Sequence, residues 1–173
     1  MKHREPTRQE RTLINRALDR WGVYAFFRDK LMLVAAVDHS TKVCLLPANL
    51  KPFFANLEPY FAGLVIGELK KQFTPSIAGA DLFARVADSR RYYITVSENA
   101  EKLVLYGRDV MGDSIVEASD DLDENELVII LNSKRDAIGV GRTRFAGKSL
   151  FQKERITVTT LLDAGSYLRE EGG

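Results

Sequence analysis

The chain has 173 residues, 45% hydrophobic and 28% charged, with a formal net charge of +1. That length supports one sizeable core or two small ones, and the composition is that of a folded globular protein, not a disordered one. No run of about 18 apolar residues occurs, and MKHREPTRQE at the start has no apolar stretch of the kind a secretory signal needs, so a soluble intracellular protein is expected. A lone cysteine, Cys44, excludes an internal disulfide or a cysteine metal cage, and its place in VCLL reads as a buried strand thiol. His3 and His39 fall at a terminus expected to fray and in a turn, without the company that a zinc site or a serine triad requires.

In chain order, TRQE places Glu10 three residues after Thr7, a capping-box pattern that predicts a helix with Leu13, Ile14, Ala17, Leu18 and Trp21 on one face and Gly22 as its stop. Arg4, Arg8 and Arg11 gather along its edge, as a cationic site or as a solvated flank. YAFFRDKLMLVAAVDHSTKVCLLP reads as strands broken by turns at 28–30 and 38–41. LKPFFANLEPYF has helical spacing, with Pro52 suited to a first turn and Pro59 to an end. LVIGEL reads as a short strand, and Ile77 to Val86 as a helix with Gly79 against it. Near Ser89 to Arg91 the pattern turns β-rich, which sets residues 1–89, a small α/β unit, apart from 90–173. There YYITV is a strand, ENAEKLVLYG a helix closed by Gly107, and SIVEA a strand. LVIIL and AIGVGRTRF form a hairpin through NSKRD, RITVTTLL is the last strand, and Asp163 to Glu170 make a helical or irregular tail. Short strands with one early helix suggest a small barrel.

Charge is segregated within this second region. Lys134 to Arg155 holds seven basic residues against two acidic ones, directly after an acidic stretch containing Glu117, Asp120, Asp121, Asp123, Glu124 and Glu126, and such segregation suggests a polyanionic partner. Arg142 and Arg144, two apart on a strand, face the same side and make a fork for phosphates. Lys148 and Lys153 lie in the connection FAGKSLFQKE, and Arg155 opens the last strand, so all five would line one barrel edge. The alternative is a solvated edge that guards exposed strands. Phe145 and Phe151 are either base-stacking platforms or core. The acidic stretch lacks the glycine and closing glutamate of an EF-hand, and GVGRTR has Arg144 where a phosphate-binding GxGxxG has its third glycine.

The ordered segments YYITVSENAEKLVLYGRDVMGDSIVEA, ENELVIILNSKRDAIGVGR and ITVTTLLDAGSYL resemble a PUA domain, an RNA-binding pseudo-barrel. Many PUA domains carry a glycine immediately before the position of Ile115; here Ser114 stands there, with Gly112 two residues earlier. The preceding unit, with Gly67, Phe73 and Thr74 in LVIGELKKQFT, and the ending YLREE look like the ribosome-assembly factor family Nip-seven, in its archaeal form. The resemblance implies an α+β protein with a C-terminal PUA pseudo-barrel that acts on large-subunit pre-ribosomal RNA without a reaction of its own. No cofactor, metal or membrane and a monomeric state are expected, and the resemblance implies other ribosome-assembly proteins as partners and a cytoplasmic place if archaeal, nucleolar or nuclear if eukaryotic. It also adds Gly107 and Arg108 to the RNA-binding set. Two other readings stay open. One is a non-catalytic subunit that delivers RNA to a modification enzyme. The other is a protein adaptor acting through Trp21, Phe53, Phe54, Tyr60 and Phe61, which alternatively form core.

Overall fold

The computed structural model describes residues 2–55, 59, 62–166 and 169. The chain forms two compact units that divide between Gly79 and Ala80. The first is an antiparallel meander in which β1 (His3–Arg4), β2 (Leu31–Val37), β3 (Ser40–Leu46), β4 (Leu64–Leu69) and β5 (Phe73–Pro75) pair in chain order. Helices α1 (Arg8–Arg20) and α2 (Tyr24–Phe27) lie between β1 and β2.

Helix α1 starts as its sequence requires. The Thr7 hydroxyl accepts from the Glu10 amide at 3.3 Å, and the Thr7 amide donates to the Glu10 carboxylate at 2.8 Å. Arg4 donates to both Glu10 oxygens at 2.7 Å, so one of the three arginines expected to form a cationic cluster is bound within the cap. Ile14, Leu18 and Trp21 are buried, whereas Leu13 is 37% exposed. Two expectations are corrected here and one element is added. His3 is in a strand, opposite Ala35, and not in a frayed end. Tyr24–Phe27 is a helical turn and not a strand, because the Phe27 and Arg28 amides donate to the Val23 and Tyr24 carbonyls and leave none to a neighbouring strand. Phe73–Pro75 adds a strand too short for alternation to reveal.

Of the aromatic residues set out as an adaptor surface, Trp21 is core and Phe53 is 60% exposed on a 3-10 segment, Ala48–Ala55. Tyr60, Phe61 and the side chain of Phe54 lie outside the described residues. Helix α3 (Ile77–Val86) keeps Gly79 for steric reasons: a Cβ there would meet the Ile66 carbonyl oxygen at 1.9 Å. Cys44 is buried, and burial pushes its thiol pKa up.

The second unit contains β6 (Tyr93–Val96), α4 (Glu98–Leu105), β7 (Val110–Met111), β8 (Ile115–Ala118), β9 (Leu127–Leu131), β10 (Ala137–Thr143) and β11 (Ile156–Asp163). Their order is β7-β11-β10-β9-β6-β8, antiparallel throughout except for the parallel pair β6 and β9. All five residues of β9 are buried, which is why LVIIL is apolar without alternation. Ile94, Val96, Val104, Val110, Leu122, Val128, Ile130, Leu150 and Val158 form the core. Each such side chain contributes about 1.5–3 kcal/mol by leaving water.

The two outermost strands, β7 and β8, are consecutive in the chain and joined only by a 3-10 turn, Gly112–Ser114. The sheet must therefore curl until its edges meet. Gly112 makes that closure possible: its amide donates to the Arg155 carbonyl, and a Cβ would fall 2.2 Å from the Gln152 oxygen and 2.7 Å from the Leu150 oxygen. The close approach that demands glycine thus falls at Gly112, two residues before Ser114.

Gly112→Ala is expected to lower unfolding stability by roughly 2 kcal/mol or more, since the clash is with the backbone of the 150–152 segment, which cannot swing aside as a side chain could; urea denaturation measures it. Acid should loosen α1. The Arg4 guanidinium, above all, with the Thr7 cap, holds the Glu10 carboxyl down to about 2. Its stabilisation is therefore complete above the ordinary carboxylate range and fades as pH falls toward that value. Glu10→Gln should flatten that part of the stability curve between pH 5 and 2, taken as about the interval over which such a group titrates.

Candidate nucleic-acid interface

The end of β10 is where sequence and structure meet. Thr143 faces inward and is buried; its hydroxyl donates to the Asp123 carbonyl at 2.7 Å and accepts from the Glu126 amide at 2.9 Å. It thereby pins the acidic stretch beside the strand. Arg142 and Arg144 flank it on the outer face, as alternation requires. They reach in different directions. Arg142 donates to the Asn125 carbonyl at 2.8 Å, on the side of β9. Arg144 donates to the Thr159 hydroxyl at 2.7 Å and to Asp109 at 3.1 Å, on the side of β11.

Asp109 ties three segments together, because its second oxygen accepts from the Thr160 amide at 2.9 Å. The Thr160 hydroxyl in turn donates to the Arg108 carbonyl at 2.9 Å. The turn after α4 is thus fastened to β11, and Gly107, Arg108 and Arg144 are gathered there. Gly107 has φ +75°, a left-handed conformation that favours glycine. Arg108 is exposed, and its side chain has no bonding partner among the described residues.

Arg155 sits at the start of β11, its guanidinium 5.4 Å from the centre of the Phe145 ring, a cation–π contact. Phe145 is therefore covered by Arg155, while Phe151 packs against the core. Lys148 lies on the 3-10 segment Gly147–Phe151, whose first amide donates to the Leu122 carbonyl in the acidic loop. Lys148 and Lys153 are exposed, without a hydrogen bond or ion pair among the described residues. The structure thus brings Arg144, Gly107 and Arg108 together along β11 and leaves Arg155 at the start of that strand, the far end from Gly107. It sets Arg142 and Lys148 beside the acidic loop, with Lys153 in the turn leading to β11. Lys134 and Arg135, contiguous with these in sequence, are at the opposite end of β10, seven residues and so about 23 Å away.

Sequence reasoning missed three residues next to Gly107. Lys102, Tyr106 and Arg169 line a cavity of about 460 Å³, together with Leu105, Ala164 and Gly165. Tyr106 is 73% exposed, directly before the left-handed glycine. The i, i+4 spacing of Lys102 and Tyr106 on α4 was the available signal. Arg169 donates to the buried Asp163 carboxylate at 2.8 and 3.0 Å and to the Leu105 carbonyl at 2.5 Å.

A pre-barrel meander followed by a curled six-stranded sheet with one inserted helix defines a two-domain protein ending in a PUA domain. The family model described as NIP7/UPF0113 pre-PUA domain matches residues 3–77, and the UPF0113 PUA domain matches residues 92–172. A UPF0113 protein of Archaeoglobus fulgidus is 31% identical over 179 residues, covering 99% of this chain and 97% of its own. The chain belongs to the NIP7/UPF0113 family. Two solved structures share its fold at 18% identity and TM-score 0.72. One is a conserved PUA domain protein from Thermoplasma acidophilum, covering 98% of this chain and 99% of its own. The other is a hypothetical protein from Pyrococcus horikoshii, covering 99% of both.

The Asp109–Arg144 pair is half exposed, so its coupling is modest. A double-mutant cycle with Asp109→Ala and Arg144→Ala should give about 0.5–1 kcal/mol, shrinking with added salt. Asp109→Ala alone should cost more, because it also strands the Thr160 amide.

Proposed function

We propose that this protein is a non-enzymatic RNA-binding factor in the maturation of large-subunit ribosomal RNA. The carrying observation is the Asp109 strut. It fixes Arg144 against the Gly107 turn, where Arg108 and the exposed Tyr106 add a cation and a stacking surface on a rigid sheet edge, and Arg155 adds a cation at the other end of β11. Guanidiniums suit phosphates, and an exposed aromatic ring suits an unpaired base, which together favour single-stranded RNA over duplex. Membership of the NIP7/UPF0113 family, whose second domain is a PUA domain, supports the same reading. Lys148 and Lys153, on the connection into β11, act as mobile point charges that extend the edge. The partners are RNA and other assembly proteins.

If Arg142, Arg144, Lys148, Lys153 and Arg155 each meet one phosphate, log affinity for a single-stranded oligonucleotide falls against log salt with a slope of about −3.5, at about −0.7 per contact. Fluorescence anisotropy reads this. Lys148→Glu, Lys153→Glu and Arg155→Glu combined should remove about 2 from that slope and abolish binding at physiological salt. Unchanged affinity in the triple variant would sink the reading. Crosslinking in cells should recover large-subunit precursor fragments, whereas recovery of transfer RNA alone would contradict the assignment to ribosome maturation.

A further inference from the structure

A second cavity, of about 420 Å³, lies within the PUA domain at the β6–β8 side of the sheet. In strand order this is the other side of β9 from the RNA edge, and Arg135 at its rim is about 23 Å along β10 from Arg142. Its cations are in two states. Arg91 is committed: it donates to the Asp121 carbonyl at 2.7 Å, pairs with the Asp121 carboxylate at 3.1 Å, and lies 5.0 Å over the Tyr92 ring. Arg90 and Arg135 are not. Arg90 spends one nitrogen on a 3.3 Å bond to the Ala84 carbonyl, and its Nη1 is buried with no hydrogen-bond partner among the described residues. Arg135 is exposed, held at φ +68°, and its side chain has no partner among the described residues.

Arg90 and Arg135 both line the cavity, and two guanidiniums on one lining attract an anion. The rest of the lining says which anion. Thr95 and Glu117 sit opposite each other on β6 and β8, offering a hydroxyl and a carboxylate, and Leu131 and Ala118 supply an apolar wall. A bare phosphate would leave most of this volume and both of those polar groups unused. Small-molecule sites run from about 300 to 1,000 Å³ with a few convergent polar groups on apolar walls, and this cavity falls within that range. We propose that it is a nucleotide pocket. Arg90 and Arg135 grip the phosphate, the apolar wall lies along the base, and Glu117 accepts from an exocyclic amine. The nucleotide is either free or an unstacked residue of an RNA chain. The inference does not depend on the RNA edge.

Isothermal titration calorimetry of the full chain with AMP, CMP, GMP and UMP, and with ribose 5-phosphate and inorganic phosphate as comparators, tests it. One site should saturate with an amine-bearing nucleotide in preference to UMP. Arg135→Glu should weaken it at least tenfold, Glu117→Gln should narrow the preference among bases, and Lys148→Glu with Lys153→Glu should leave it unchanged. Arg135 is exposed, so its variant carries the test if Arg90→Ala fails to fold. Crosslinking of a 6-thioguanosine-labelled oligonucleotide, whose base keeps an exocyclic amine, separates the sources. Crosslinks within residues 89–95 or 117–121 that Arg135→Glu removes mark an RNA residue, and mononucleotide binding without them marks a free ligand. Phosphate binding as tightly as any nucleotide, or neither saturation nor a pocket crosslink, would overturn the proposal. Loss of the RNA edge alone would show instead as unchanged oligonucleotide affinity in the Lys148 and Lys153 variants, with the mononucleotide site intact.

Discussion

The three-residue turn from Gly112 to Ser114 is the constraint on which the second domain depends. It joins strands that lie at opposite ends of the hydrogen-bonding order, so no flat sheet satisfies the connectivity. Curling brings Leu150 and Val110 into one core and places the carbonyls of Leu150 and Gln152 against Gly112. The segment that carries Lys148 and leads to Lys153 is therefore positioned by closure of the barrel. Packing of this kind tolerates little displacement, because interiors are as dense as organic crystals.

Two polar residues convert that closed sheet into a surface with a direction. Thr143 holds the acidic stretch on one side of β10, and Asp109 holds the Gly107 turn on the other. The arginines between them divide accordingly, one toward each neighbour. Opposite charges thus lie close on one face, which limits long-range attraction and leaves recognition to groups at short range. An overall charge of +1 is consistent with that economy.

Much of the fold was legible in the chain. The capping box at Thr7 and Glu10, the helix closed by Gly107, the LVIIL hairpin and the final strand were all carried by local patterns. What escaped was decided by distant partners. Tyr24–Phe27 has strand-favouring aromatics, yet its amides close a helical turn. Strand β7 has two residues and exists because β11 supplies a ladder for it. The candidate site was read as one row of cations because they are close in sequence, while the separate reach of Arg142 and Arg144 depends on Asn125 and Asp109, neither of which a local pattern links to them. Lys102, Tyr106 and Arg169 converge on one cavity from two parts of the chain, and Arg90 meets Arg135 across another.

The place of β11 in the order of synthesis has a consequence for when the protein becomes competent. Among the described residues it is the last strand in chain order, yet it lies between β10 and β7, so neither neighbour is complete until it pairs. Pairings so distant in sequence form late and slowly compared with local ones. Until β11 is in place, Asp109 lacks the Thr160 amide, Arg144 lacks Thr159, and Arg155 has no strand to start. A chain in which β11 has not yet paired would carry the charges of β10 without the arrangement that β11 gives them.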